Sequence, residues 1–306
     1  MYPRISDFFK DHLGFDLPFP IYSYGFMVAV AILTASWITG RELKRLQSIG
    51  RLGKFPMTMR RKGGGTETVQ MQPSDLMGTV TIIAAIAGII GAKLFYVLEE
   101  PGNMMEKLFS SGGLTFYGGL LGGAAAVMFY VRSKKIPSTI FMDAIAPSMI
   151  LGYGIGRIGC HLAGDGDWGI PSNMAAKPSF IPTWLWAETY PNNIMGAVIP
   201  PSYPTPLWEF LACTAFFAIL WMLRKHPFKA GWLFSLYLCF NGIERFMIEK
   251  LRLNIPYNIW GMKATQAEII AMILFSLGVI GLMLTTRRRE DAPQNTAVLP
   301  KVGSTT

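Results

Sequence analysis

Charge is scarce in this chain. Asp, Glu, Lys and Arg make up 15% of its 306 residues, against about a quarter in ordinary soluble domains. With 51% hydrophobic residues and a mean hydropathy of +0.34, that scarcity excludes a soluble globular protein. Cysteine is scarcer still. Cys160, Cys213 and Cys239 fall inside or at the ends of apolar stretches with no CxxC or metal-ligand spacing, so neither a disulfide framework nor a metal site is expected, and no cofactor is called for. The first twenty residues lack a positive segment followed by an apolar run and a small-residue cleavage site, which predicts no removable signal peptide. Internal repeats are absent as well.

Long apolar runs are what the chain does have. Stretches near the ~20 residues needed to cross a bilayer lie at 22–40, 76–98, 114–131, 139–162, 205–223, 230–249 and 266–286. They predict an all-α polytopic membrane protein with seven transmembrane helices in a single domain, residues 1–290, followed by a flexible tail, 291–306. Ile5, Phe8, Phe9 and Leu13 recur at helical spacing among charged residues, marking an interfacial arm over 1–20.

Lysine and arginine alternate in abundance between connecting segments, eighteen on one side against seven on the other. Cytoplasmic loops carry the excess, which places the amino terminus outside and the carboxyl terminus inside. Residues 41–75, with Gly63, Gly64 and Gly65, read as a flexible cytoplasmic loop, and 163–204 as an external segment rich in tryptophan. The net charge of +9 follows from this asymmetry, and its distribution along membrane flanks excludes a nucleic-acid-binding face.

With orientation assigned, depth follows from the ~1.5 Å rise per helical residue. Tyr24, Tyr117 and Glu209 lie near the outer ends of their helices, and Lys93, Arg157, Arg245 and Glu249 rise to the same outer half. Asp143 stands apart near the inner end of the fourth span. A guanidinium at membrane depth costs at least ~2.5 kcal/mol and faces a cavity, partner or polar ligand. The expectation is a water-accessible outer-half cavity whose excess of cations selects an anion. Arg245 and Glu249 are spaced i,i+4 for an ion pair, and Arg252 follows one heptad after Arg245.

Gly154-Ile-Gly156-Arg157-Ile-Gly159 matches the GxGxxG dinucleotide fingerprint in letters, but that fingerprint needs a βαβ unit around it, and here it sits in a membrane span. The glycines instead permit close helix packing or expose backbone amides to an anion. The run from Gly112 to Gly123, with Gly118 and Gly119 at a helix start, admits both readings.

These residues, taken in order, resemble the bacterial prolipoprotein diacylglyceryl transferase family. The resemblance runs through Tyr24-Gly25, Gly91-Ala-Lys93-Leu-Phe-Tyr96, Phe116-Tyr117-Gly118-Gly119-Leu120, Asp143-Ala-Ile-Ala-Pro147, Gly156-Arg157-Ile-Gly159-Cys160, Tyr203-Pro-Thr-Pro-Leu-Trp-Glu209 and Arg245-Phe-Met-Ile-Glu249-Lys-Leu-Arg252. This chain departs from the family pattern where Tyr117 stands for a histidine, Cys160 for an asparagine, Lys93 for an arginine and Pro206 for a glutamine.

The resemblance implies an enzyme of the bacterial cytoplasmic membrane, its site toward the outer leaflet. Its partners would be phosphatidylglycerol, other membrane lipids and the lipobox cysteine of preprolipoprotein signal peptides. Arg157, Arg245, Glu249, Tyr117 and Glu209 would be catalytic. Tyr24, Lys93, Gly118, Gly119, Asp143, Gly156, Gly159, Cys160, His161, Gly169 and Arg252 would bind substrate. A phenol, ordinarily titrating near 10, is a poor base, so Glu209, Glu249 or His161 would take the thiol proton unless the cationic field alone activates the thiol. The alternatives are a same-fold enzyme with another acceptor, or a non-catalytic anionic-lipid binding or transport protein.

Overall fold

The computed structural model describes residues 1–15, 18–60, 66–99, 103–110, 113, 115–254, 257–259 and 262–287. Gly63 to Gly65 and the 291–306 tail lie outside the described residues. The helices are α1 (Ile5–Leu13), α2 (Ser23–Ser48), α3 (Leu76–Glu99), α4 (Met104–Phe109), α5 (Phe116–Ser133), α6 (Ser138–Ala163), α7 (Thr183–Trp186), α8 (Thr205–Leu223), α9 (Trp232–Glu249) and α10 (Gln266–Thr285). Five of them are long and apolar enough to cross a membrane: α2, α3 with the turn before it, α6, α8 and α10. The two other long helices are the shortest of the long ones, 18 residues each, α5 opening on two glycine pairs and α9 carrying Glu244, Arg245 and Glu249 near its end. The protein is therefore a mostly helical, polytopic membrane protein.

Two antiparallel hairpins correct the all-helical expectation. Strands β1 (Phe55–Arg60) and β2 (Thr66–Met71) pair with Phe55 opposite Met71, and β3 (Tyr257–Ile259) with β4 (Met262–Ala264). The segment after α2 is thus not a plain loop. Leu52 and Phe55, 5% and 3% exposed, anchor the first hairpin in a core with Leu43, Leu46, Leu76, Val131 and Phe141. Helix α2 also runs to Ser48, well past the apolar stretch that announces it. Its last turns are amphipathic, burying Leu43 and Leu46 while Glu42 pairs with Arg45. A hydropathy reading ends where charge begins, but the helix does not.

A second core joins α6, α8 and α9 through Ala146, Ile150, Cys213, Leu220, Leu233 and Tyr237. Outward faces stay apolar: Ile82, Ile86 and Ile89 on α3, and Ile273, Leu277 and Met283 on α10, are each more than half exposed. Apolar surface on that scale is stable against hydrocarbon, not water.

Glycines set the helix spacing. A Cβ on Gly91 would run into the carbonyl oxygen of Gly118, and one on Gly119 would lie 3.3 Å from that of Gly88, so α3 and α5 meet backbone to backbone. Gly154 does the same for α6, where a Cβ would come 2.7 Å from Cys213 Cβ on α8. Small residues at such seams are how membrane helices approach closely.

Asp143 fastens the start of α9. Its carboxylate accepts backbone N–H groups from Gly231 at 2.7 Å and Phe234 at 2.9 Å, and the His226 ring lies 3.7 Å away. These are the orphan donors of a helix amino terminus, and a carboxylate is their natural acceptor.

Candidate functional site

Three helices and one connecting segment bring a charged cluster together. Arg157, late on α6, forms ion pairs through Nε with Glu209 of α8 and through Nη1 with Asp167 of the connecting segment. Its Nη2 donates to the Tyr153 hydroxyl at 2.9 Å, and that hydroxyl donates to Glu209 at 2.9 Å. The guanidinium also lies 4.9 Å from the centre of the Tyr153 ring. Tyr153 is four residues before Arg157, hence on the same helix face.

Arg252, just past α9, pairs with the other oxygen of Asp167 and lies 3.7 Å from Glu209. Burial first, then the neighbouring Arg157 charge, pulls the Arg252 guanidinium below its ordinary range. Arg245 and Glu249 make the i,i+4 pair at 3.2 Å, and Asn254 donates to Glu249 at 2.7 Å. The Glu209 and Glu249 side chains are both fully buried. Arg245 Nη1 is buried with no hydrogen-bond partner among the described residues.

The connecting segment is locked onto this cluster by backbone. Helix α6 ends at Gly164 in the left-handed region, φ 60°, where a Cβ would also strike Asn193. The chain then returns so that Gly169 bridges Arg252, donates to the Tyr203 carbonyl at 2.9 Å and leaves no room for a side chain against Leu251 and Thr205. Thr205 Oγ1 donates to the Asp167 carbonyl at 2.7 Å. Gly169 thereby holds Asp167 where two arginines meet it.

Other expected residues surround the cluster or lie apart. Gly159 packs on Tyr24, its missing Cβ 3.1 Å from Tyr24 Cα, while Gly156 faces open space. Cys160 is buried and lies 3.9 Å from Arg157 Nη1. His161 lies 3.4 Å from the Tyr190 hydroxyl and edge-on to its ring. Lys93 donates to Ser110 at 2.8 and 2.9 Å and lies over Tyr96. Tyr117 is edge-on to Phe116, and Gly118 and Gly119 line the α3/α5 seam. Asp143, on α6 and bonded to the start of α9, is 14 residues or ~21 Å along α6 from Arg157.

Sequence reasoning missed Tyr153, Asp167 and Glu244. Helical spacing from Arg157 could have found the first, and charge inside a span the third, whereas Asp167 depends on a return of the chain with no local signal. The expected excess of positive charge is also corrected: Arg157, Arg245 and Arg252 pair with Asp167, Glu209 and Glu249, and Glu244 lies buried on α9 beside Arg245 in sequence. The donor atoms of Cys160, Asp165 and Asp167 lie within 4.8 Å of one another, but two guanidiniums already sit on Asp167, a poor fit for a cation. Nearby, a cavity of about 190 Å³ is lined by Ile181, Leu185, Trp186, Trp208 and Leu211, all apolar or aromatic.

The sequence profile of the family described as "Prolipoprotein diacylglyceryl transferase" matches residues 13–284. Among similar proteins, the phosphatidylglycerol–prolipoprotein diacylglyceryl transferase of Pseudomonas aeruginosa is 30% identical over 286 residues, covering 92% of this chain and 94% of that one. The protein of the same name from Staphylococcus saprophyticus is 28% identical over 297 residues, 95% and 94%. That from Bacillus cytotoxicus is 27% identical over 271 residues, 87% and 88%. A match that takes in every helix of the charged cluster, with relatives aligned along nearly their full length, means that this chain belongs to the prolipoprotein diacylglyceryl transferase family.

Proposed function

We propose that this protein transfers the diacylglyceryl group of phosphatidylglycerol to the lipobox cysteine thiol of preprolipoproteins, forming a thioether and releasing glycerol phosphate. The observation that carries the reading is a buried cluster in which Arg157 of one helix pairs with Glu209 and Asp167, and Arg245 of another pairs with Glu249. Displacement at a carbon bearing a phosphate needs cations on the leaving group, and a guanidinium forks onto phosphate oxygens, giving orientation with charge. The buried Arg245 Nη1 without a partner is a donor suited to such an oxygen.

In this reading Arg157 and Arg245 hold the phosphate, Glu209, Glu249 and Asp167 hold those arginines, and Arg252 holds Asp167 and Glu209 from the other side. Tyr24, Gly156, Gly159, Cys160 and His161 border the same end of α6. Lys93, Tyr117, Gly118 and Gly119, on the α3/α5 pair, form a second wall that receives lipid. Asp143 and Gly169 serve by fixing α9 and the connecting segment. Residues 1–290 form one domain with seven spans, the amino terminus outside and the carboxyl terminus inside the bacterial cytoplasmic membrane. That orientation is supported by the lysine and arginine asymmetry, and it turns the cluster toward the outer leaflet.

The test is thioether lipidation of a lipobox peptide by purified protein with phosphatidylglycerol. Wild type should lipidate it, and Arg157→Ala and Arg245→Ala should each lose roughly a hundredfold or more, as loss of a charge-stabilising donor does. A folded wild type that lipidates none of several lipobox peptides would overturn the assignment.

A further inference from the structure

Among the four carboxylates of α8, α9 and the connecting segment that meet the arginines, three are committed. Asp167 is shared by Arg157 and Arg252, Glu209 is held by Arg157 and the Tyr153 hydroxyl, and Glu249 is held by Arg245 and Asn254. Three guanidiniums thus pair off with three carboxylates, and the partly exposed Asp165 lies beside Asp167 outside those pairs. Glu244 is the fourth. It sits mid-cluster on α9, 3% exposed, and neither of its carboxyl oxygens has a hydrogen-bond partner among the described residues.

The groups acting on it come from every neighbouring side. Arg157 and Tyr153 belong to α6, Glu209 and Cys213 to α8, and Arg245 to α9 itself. On α10, the other helix packed against α9, Glu268 is engaged with Lys250 and its own helix cap. An ionised carboxylate buried with no partner of its own is strongly disfavoured. It is also the one group of the four that can change charge without breaking an ion pair.

We propose that the buried, unpartnered Glu244 holds a proton before lipid arrives and relays the acceptor thiol's proton to the departing glycerol phosphate. In that step the S–C bond forms as the glycerol C–O bond breaks, and the electron pair of the broken bond stays on the phosphate oxygen. Glu244 gives its proton to the leaving phosphate, and the proton from the thiol refills it. No electron is gained or lost overall. The thiol proton offsets the second negative charge that develops on the leaving phosphate, and passing it through Glu244 keeps the net charge of the site constant through the step. This inference rests on the transferase reading for its chemistry, but its protonation claim stands without turnover.

Two measurements test it separately. Difference infrared spectroscopy of wild type against Glu244→Gln, in phosphatidylglycerol-free detergent, should show a protonated-carboxyl carbonyl band that the variant lacks and that moves when glycerol phosphate is added. No such band would overturn the proposal whether or not the enzyme turns over. In the lipidation assay, Glu244→Gln should keep KM within about twofold, lose kcat by roughly a hundredfold and lose one limb of the pH profile, while Glu244→Asp should restore a limb at a shifted pH. Wild-type kcat and pH profile in Glu244→Gln would also overturn it. If Glu244→Gln fails to fold, Glu244→Asp carries both readouts: a displaced band and limb support the proposal, unchanged ones refute it. A band present in a wild type that lipidates nothing would sink the transferase reading and leave the proton-holding role intact.

Discussion

Tyr153 shows how much one hydroxyl can hold in place. It accepts from Arg157 and donates to Glu209, each at 2.9 Å, so its removal leaves a buried guanidinium N–H and a buried carboxylate oxygen each short of a bond. Tyr153→Phe keeps the ring under the guanidinium but should cost about 1–3 kcal/mol and lower lipidation. A thermal melt in detergent beside the peptide assay would check both, and an unchanged melting temperature would refute the bridge. Arg157 itself was legible in the sequence, because a charge in an apolar span demands a reason. Its partner Asp167 was not, because a loop residue is delivered by the path of the backbone between α6 and α8 and leaves no periodic trace.

At the scale of elements, the α6/α8 seam carries the Arg157–Glu209 pair. Gly154 lies three residues before Arg157, and Cys213 four after Glu209, so the pair that sets the gap between the helices also sets the reach between guanidinium and carboxylate. Gly154→Ala should destabilise by about 1–3 kcal/mol through overpacking and depress activity. Adding Cys213→Gly, which removes the opposing Cβ, should recover most of both, whereas Cys213→Ala should not. Additive losses in the Gly154→Ala, Cys213→Gly double variant would show that the seam is not the cause. Helix positions were readable from hydropathy because lipid-facing stretches are continuous. The β1/β2 hairpin was hidden because its anchors, Leu52 and Phe55, are two apolar residues in a stretch otherwise read as loop, and the seam partners of each glycine were hidden because spacing on one helix does not name the other.

For the whole molecule, the connecting segment between α6 and α8 is part of the folded body. Tyr190, 1% exposed, packs its ring against Trp168 and His161. Burial first, then the Glu188 and Asp165 carboxylates, raises its phenol well above the ordinary value. The folded state therefore favours the neutral phenol, and this contribution is fully present below the unfolded value near 10 and lost as pH rises beyond it. The melting temperature should fall above about pH 10, and Tyr190→Phe should flatten that fall. An identical alkaline slope in the variant would assign it elsewhere.

Asp143 ties the first turn of α9 to the early part of α6, and Arg157 shares Asp167 with Arg252 where α9 has just ended. Two helices fastened near both ends form a braced frame that cannot shear or swivel without breaking a helix cap or an ion pair. The span between the Arg157 and Arg245 guanidiniums is consequently a fixed gauge, set when the chain folds. Under the proposed function, an arriving phosphate would meet charges already aimed, so the reorganisation that water would have to undergo at each turnover would be completed once, during folding.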